Sequence, residues 1–225
     1  MNRYAPELAL VAGGLLGVVF GGFALFSVGE FYSAALVAAL CCYPFGAYAI
    51  HTDEDPTTVL PPRVIVAVAG VVAVGVVVDV LRLSSASAGS LLFGLAVGLV
   101  VFLPAAAYAT AYGDPPAWLA PRPVEIGATV LAFALLAGGI ASGAAASGSV
   151  SALLVFVAGT TFAARSTGVD PRRRRRLPVA GLLLAAVLLI VGVARGGPLD
   201  PWVLASLAAV CGPLGYVSLT ASSRI

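Results

Sequence analysis

Residues 126–164 read IGATVLAFALLAGGIASGAAASGSVSALLVFVAGTTFAA, a run of 39 residues with no charged side chain. A membrane-spanning helix needs about 20 predominantly apolar residues. The run is therefore too long for one span and fits two. Small residues fill its centre, SGAAASGS at residues 142–149, and they predict a tight turn there. We expect two transmembrane helices joined by that turn.

Six more apolar stretches of helical length flank this pair. Five of them are residues 8–26, 31–50, 64–83, 177–194 and 202–220, and the sixth lies within residues 88–112. The chain is 60% hydrophobic and 10% charged, whereas soluble domains carry roughly 25% charged residues, so lipid is the solvent that suits it. The sequence predicts an all-α integral membrane protein with eight transmembrane helices in a single membrane domain, residues 1–225. The first stretch is longer than a signal-peptide core and predicts a retained span.

The arginines indicate how the spans are oriented. All twelve basic residues are Arg, and eight spans would put ten on one side of the membrane and two on the other. The ten are Arg3, Arg63, Arg122, Arg165, Arg172, Arg173, Arg174, Arg175, Arg176 and Arg224, and the two are Arg82 and Arg195. Excess basic residues mark the cytoplasmic side. The sequence thus predicts a multi-pass protein of the cell membrane with both termini in the cytoplasm, and it favours eight spans over seven.

Two segments of the chain resemble each other. Residues 43–56 read YPFGAYAIHTDEDP, and residues 103–115 read LPAAAYATAYGDP. Weaker echoes follow later in the chain, so the pattern predicts four tandem helical hairpins of the same orientation, as in parallel-repeat membrane proteins. Their approximate limits are residues 1–57, 58–116, 117–171 and 172–225. The alternative is that hairpins rich in Ala, Val and Leu look alike by composition alone.

Prolines recur near the ends of three even-numbered spans. Pro44, Pro104 and Pro213 each lie about two turns before the predicted cytoplasmic end. Proline frees a backbone carbonyl and bends a helix. The three positions predict kinks, which serve either packing alone or the lining of a vestibule.

Three glycines at intervals of four residues mark one face of the first span. Gly13, Gly17 and Gly21 form two overlapping G-x-x-x-G patterns. Such glycines let helix backbones approach closely. We expect this face to pack against another helix of the same chain, with a homo-oligomer as the alternative.

Asp79 is the one carboxylate that lies clearly within an apolar run, VVVDVLRL. An acid within a membrane span is a candidate functional group by default. Arg82 follows three residues later, close enough on a helix to form an ion pair. Pairing at the outer interface is the favoured interpretation, and a transport role is the alternative.

Five consecutive arginines precede the seventh span. Arg172, Arg173, Arg174, Arg175 and Arg176 form what we call the arginine run. Its position beside a span predicts contact with anionic lipid head groups. The run is short and has no aromatic neighbours, so the sequence indicates no nucleic-acid partner.

The residues that enzymes need are scarce. His51 is the only histidine, and no hydrolase, metalloprotease or nucleotide-binding motif occurs. The sequence indicates no catalytic residues, metal site or cofactor. It favours a non-enzymatic structural, assembly or regulatory membrane component, with the bilayer and either a copy of itself or a membrane complex as partners. The alternative is a transporter or channel for a small neutral or lipid-like solute, and an intramembrane enzyme is least favoured.

Overall fold

The computed structural model describes residues 5–52, 57, 60–113, 119–167 and 171–221. Every regular element among these residues is an α-helix. The eight helices are α1 (Ala5–Val28), α2 (Phe31–Thr52), α3 (Pro62–Leu83), α4 (Ala88–Tyr112), α5 (Pro121–Ala141), α6 (Ala145–Thr167), α7 (Pro171–Arg195) and α8 (Asp200–Ala221). All eight are long and apolar enough to span a membrane. The prediction of an all-helical protein with eight apolar helices of membrane-spanning length is confirmed.

The turn that decides between seven and eight spans lies within the predicted residues. Helix α5 ends at Ala141 and α6 begins at Ala145. Between them Gly143 has a φ of 74°, a left-handed conformation that glycine adopts without a steric penalty. The 39-residue run therefore forms two helices.

Prolines open several helices, because the first N–H groups of a helix have no partner within it and proline loses nothing there. Helix α5 begins at Pro121, so Pro121 and Pro123 belong to its first turn. Helix α7 begins at Pro171, so it starts before residue 177, where the sequence placed the start of the span, and it includes the arginine run.

The chain divides into two compact units. The first contains Met1–Ser85 and Val97–Pro115, and the second contains Ala86–Ala96 and Pro116–Ile225. In the first unit α1 packs along α2, and α2 packs against α3. In the second unit α5 packs along α6, while α8 contacts α6 and α7. Each unit has its own apolar core, with Ala35, Val76 and Val97 in the first and Ala132, Leu136, Ala152 and Ala205 in the second.

The distribution of side chains suits a lipid environment. Alanine dominates the buried apolar positions of the described residues, whereas large apolar side chains such as Val18 and Phe23 are exposed. Phe26 is 91% exposed. Lipid chains are as apolar as leucine, so small residues belong where helix backbones approach closely and large ones belong where they meet lipid.

Candidate functional site

The glycine face of α1 packs against α2. Gly13, Gly17 and Gly21 are all buried. A Cβ atom at Gly13 would lie 2.7 Å from the Cβ atom of Phe45, and one at Gly21 would lie 3.1 Å from the carbonyl oxygen of Ala34. These distances leave no room for a side chain. Helix α2 occupies the face that a homo-oligomer would otherwise use.

Polar groups in the spans of the first unit bind backbone carbonyls of neighbouring helices. The Cys42 thiol donates to the carbonyl oxygen of Gly13 at 3.4 Å, and the Tyr43 hydroxyl donates to that of Val101. These bonds join α2 to α1 and to α4. Hydrogen bonds between helices stabilise membrane bundles by about 0.6 kcal/mol each on average. The groups thus fasten helices together.

The second unit repeats this use of polar side chains. The Ser151 hydroxyl donates to the carbonyl oxygen of Leu92 at 3.4 Å, and the Ser206 hydroxyl donates to that of Ala185 at 3.1 Å. Ser149 differs, because its buried hydroxyl has no hydrogen-bond partner among the described residues.

Asp79 lies at the end of α3 beside the start of α2. The backbone N–H of Tyr32, in the first turn of α2, donates to Asp79 Oδ2 at 3.0 Å. The first N–H groups of a helix lack partners within it, and its dipole favours a negative charge there. Asp79 therefore acts as a cap supplied by a neighbouring helix. This partner differs from the expected one, Arg82, whose side chain is exposed.

The cap gives Asp79 a measurable structural role. Asp79→Ala removes the acceptor for Tyr32 and should lower the free energy of unfolding by about 1 kcal/mol, the usual cost of a lost helix cap. Asp79→Asn keeps an acceptor oxygen and should cost less. Unfolding in mixed detergent micelles measures both, with Arg82→Ala as the control that should match the wild type. Equal stability of Asp79→Ala and the wild type would contradict the capping role.

An apolar groove lies in the second unit among α5, α6, α7 and α8. Its cavity volume is about 310 Å³, at the lower end of the range for small-molecule sites. Leu136, Phe156, Leu184 and Pro213 are among its lining residues. Thr129 is the one polar side chain among the described residues that line it, and its hydroxyl donates to the carbonyl oxygen of Glu125 at 2.8 Å. The lining thus offers a ligand hydrocarbon contacts.

The groove reaches the end of α7 that carries the arginine run. Leu177 lines the groove and directly follows Arg176. Arg175 and Arg176 are exposed. The side chains of Arg172, Arg173 and Arg174 fall outside the part of the chain that the structure describes.

The three repeat prolines have different surroundings. Pro44, Pro104 and Pro213 lie inside α2, α4 and α8. Pro213 is buried and lines the groove, whereas Pro44 and Pro104 are exposed.

The tyrosines four residues after Pro44 and Pro104 also have different surroundings. Tyr48 is 53% exposed, whereas Tyr108 is buried and donates a hydrogen bond to the carbonyl oxygen of Leu60 at 2.7 Å. Equivalent sequence positions therefore do not have equivalent neighbours.

The described residues contain no group of three or more His, Cys, Asp or Glu side chains that could hold a metal ion. The acidic loop Asp53, Glu54 and Asp55 lies outside them. Comparison with protein-family models, with curated proteins and with solved structures gives no significant match.

The sequence did not indicate the groove. Its lining residues repeat at helical spacing on each helix, as Leu177, Ala180, Gly181 and Leu184 do on α7. Apolar residues at this spacing are equally typical of a helix face that packs against protein and of one that faces lipid.

Proposed function

We propose that this chain is a non-enzymatic membrane component with a structural, assembly or regulatory role. The supporting observation is that polar groups within its spans bind the backbones of neighbouring helices. Cys42, Tyr43, Ser151 and Ser206 all donate to carbonyl oxygens across helix interfaces. Asp79, the candidate functional acid, accepts from a helix terminus. Side chains used in this way hold helices together and are not presented to a substrate.

The experiment that tests this role is purification of the full chain in mild detergent from the cells that make it. A structural or assembly component should co-purify with a membrane protein partner, or a second copy, at fixed stoichiometry through two orthogonal steps. A chain that elutes alone, without a stoichiometric partner, would contradict the proposal.

The apolar groove favours a second candidate, a carrier for a small neutral or lipid-like solute. Its lining suits an uncharged ligand. A carrier should be stabilised thermally by its solute in a ligand screen, and liposomes containing the chain should take up that solute. Stabilisation with uptake would favour the carrier over the structural component.

The proposed architecture is four tandem helical hairpins, α1–α2, α3–α4, α5–α6 and α7–α8, all inserted in the same orientation in the cell membrane. The ten-to-two distribution of arginines supports cytoplasmic termini. The short connections support antiparallel neighbours, since three residues separate α5 from α6 and two separate α1 from α2.

Reporter fusions in the connections check this orientation. Fusions after Asp55, Asp114 and Asp170 should report cytoplasm, because odd-numbered helices then begin on the arginine-rich side. Fusions after Glu30, Ala86, Gly143 and Gly197 should report the exterior. A cytoplasmic signal from the Gly143 fusion would contradict the arrangement, whereas a consistent reversal of every signal would overturn only its direction.

A further inference from the structure

The groove of the second unit is lined in part by Leu177, which lies beside the arginine run near the start of α7. Three residues separate α5 from α6 and three separate α6 from α7, so α5 and α7 begin on the same side. Arg122 lies on α5 seven residues before Thr129, and Arg176 lies on α7 four residues before Ala180. At these intervals each arginine lies on the same side of its helix as a residue that lines the groove. Both arginines are exposed.

The length of the groove fits one leaflet of a bilayer. Its lining extends from Thr129 to Leu136 on α5 and from Leu177 to Leu184 on α7. Seven residues of helix cover about 10 Å. Half of the hydrocarbon core of a bilayer is about 15 Å thick. The groove is therefore shorter than one leaflet is thick.

The lining of the groove favours a bound molecule whose buried part is hydrocarbon. The Thr129 hydroxyl already donates to the carbonyl oxygen of Glu125, and the other lining side chains are apolar. A solute with polar atoms would lose hydrogen bonds to water without replacing them, at a cost of several kcal/mol per group in an apolar medium. An acyl chain loses none.

The charged residues near the starts of α5 and α7 favour one kind of lipid head group. Arg122, Arg175 and Arg176 are exposed there, and Glu125 is the one acid among the described residues at these helix ends. The balance is positive, which favours a lipid with net negative charge over a zwitterionic one.

We propose that this groove holds an acyl chain of one anionic phospholipid, with the head group at Arg122 and Arg176. The lipid comes from the leaflet on the arginine-rich side. It fills the space that α5, α6, α7 and α8 leave between them and adds a charged contact at their ends. This lipid site goes beyond the proposed structural role and does not depend on it.

Native mass spectrometry of the full chain in mild detergent tests the site. The probes are phosphatidylglycerol and phosphatidylcholine with identical acyl chains, together with glycerol phosphate as the head group alone. We expect one phosphatidylglycerol to be retained per chain, with a Kd at least about tenfold lower than that of phosphatidylcholine, since each Arg beside an anionic head group contributes about fivefold in affinity. Glycerol phosphate should not bind.

Paired variants separate the groove from the charges. Ala180→Phe puts a ring into the groove and should abolish retention of phosphatidylglycerol, whereas Val179→Phe puts the same ring on the exposed side of α7, where Val179 is 55% exposed, and should retain it. Arg176→Gln should weaken phosphatidylglycerol binding about fivefold. Arg82→Gln removes the same charge in the first unit and should change nothing. If Ala180→Phe fails to fold, Leu184→Phe makes the same test with a smaller increase in volume.

Three results would overturn the proposal. Retention of phosphatidylglycerol by the groove-filling variant would place the lipid elsewhere. Equal affinity for phosphatidylcholine would remove the selectivity for an anionic head group. Binding of glycerol phosphate as tightly as the lipid would show a phosphate site without an acyl chain.

Discussion

Gly148→Ala is expected to destabilise the second unit by about 3 kcal/mol, the upper end of the cost of overpacking a filled interface. A Cβ atom at Gly148 would lie 2.6 Å from the Cα atom of Gly139 and 2.7 Å from the carbonyl oxygen of Leu135. Both neighbours are backbone atoms, so no side-chain rotation relieves the contact. Helices α5 and α6 would have to separate along their length. The free energy of unfolding in mixed micelles measures the effect.

Gly138→Ala is the matched control on the same pair of helices. A Cβ atom at Gly138 would have no neighbour within 4 Å. Alanine favours helix over glycine by about 1 kcal/mol, so this variant should be as stable as the wild type or more so. If Gly148→Ala lowers the free energy of unfolding and Gly138→Ala raises it, the Gly139–Gly148 contact is the cause of the destabilisation. A Gly148→Ala chain that unfolds like Gly138→Ala would show that α5 and α6 do not pack as described.

Gly17→Leu is expected to destabilise the first unit by more than about 3 kcal/mol, because a leucine is larger than the single methyl group that already fails to fit. A Cβ atom at Gly17 would lie 2.5 Å from the sulfur of Cys42 and 3.3 Å from the carbonyl oxygen of Ala38. The side chain would also displace the thiol that donates to Gly13. Thermal unfolding in detergent measures the loss.

Further variants identify the cause of the effect expected for Gly17→Leu. Gly14→Leu adds the same side chain to an exposed position with no neighbour within 4 Å of its Cβ atom, so it should melt like the wild type. Gly17→Ala clashes mainly with the Cys42 sulfur, and Cys42→Ala should recover most of its loss in the double variant, because residues in contact are not additive. No recovery would mean that the Ala38 carbonyl, and not Cys42, sets the spacing of α1 and α2.

The sequence alone determined the number of helices and, to within about six residues, their outer limits. A bilayer requires that the backbone groups of a span be satisfied within it, so an uncharged run of sufficient length has to form a helix. The fourth span was predicted to lie within residues 88–112, and α4 fills that range. The run at residues 126–164 divided at Gly143, where glycine allows a left-handed turn. Helix α3 begins two residues before its predicted start and ends where it was predicted to end, and α8 extends two residues and one residue beyond its predicted limits.

Only the tertiary structure decided which groups face each other. Asp79 accepts from Tyr32 rather than from Arg82, and Tyr108 is buried where its repeat counterpart Tyr48 is exposed. The groove likewise depends on how four helices meet. The physical reason is that lipid and protein interiors are similarly apolar, so hydropathy and periodicity do not distinguish a helix face that meets lipid from one that meets another helix. Contacts between backbones, such as Gly139 with Gly148, make that distinction, and they exist only once the helices are packed.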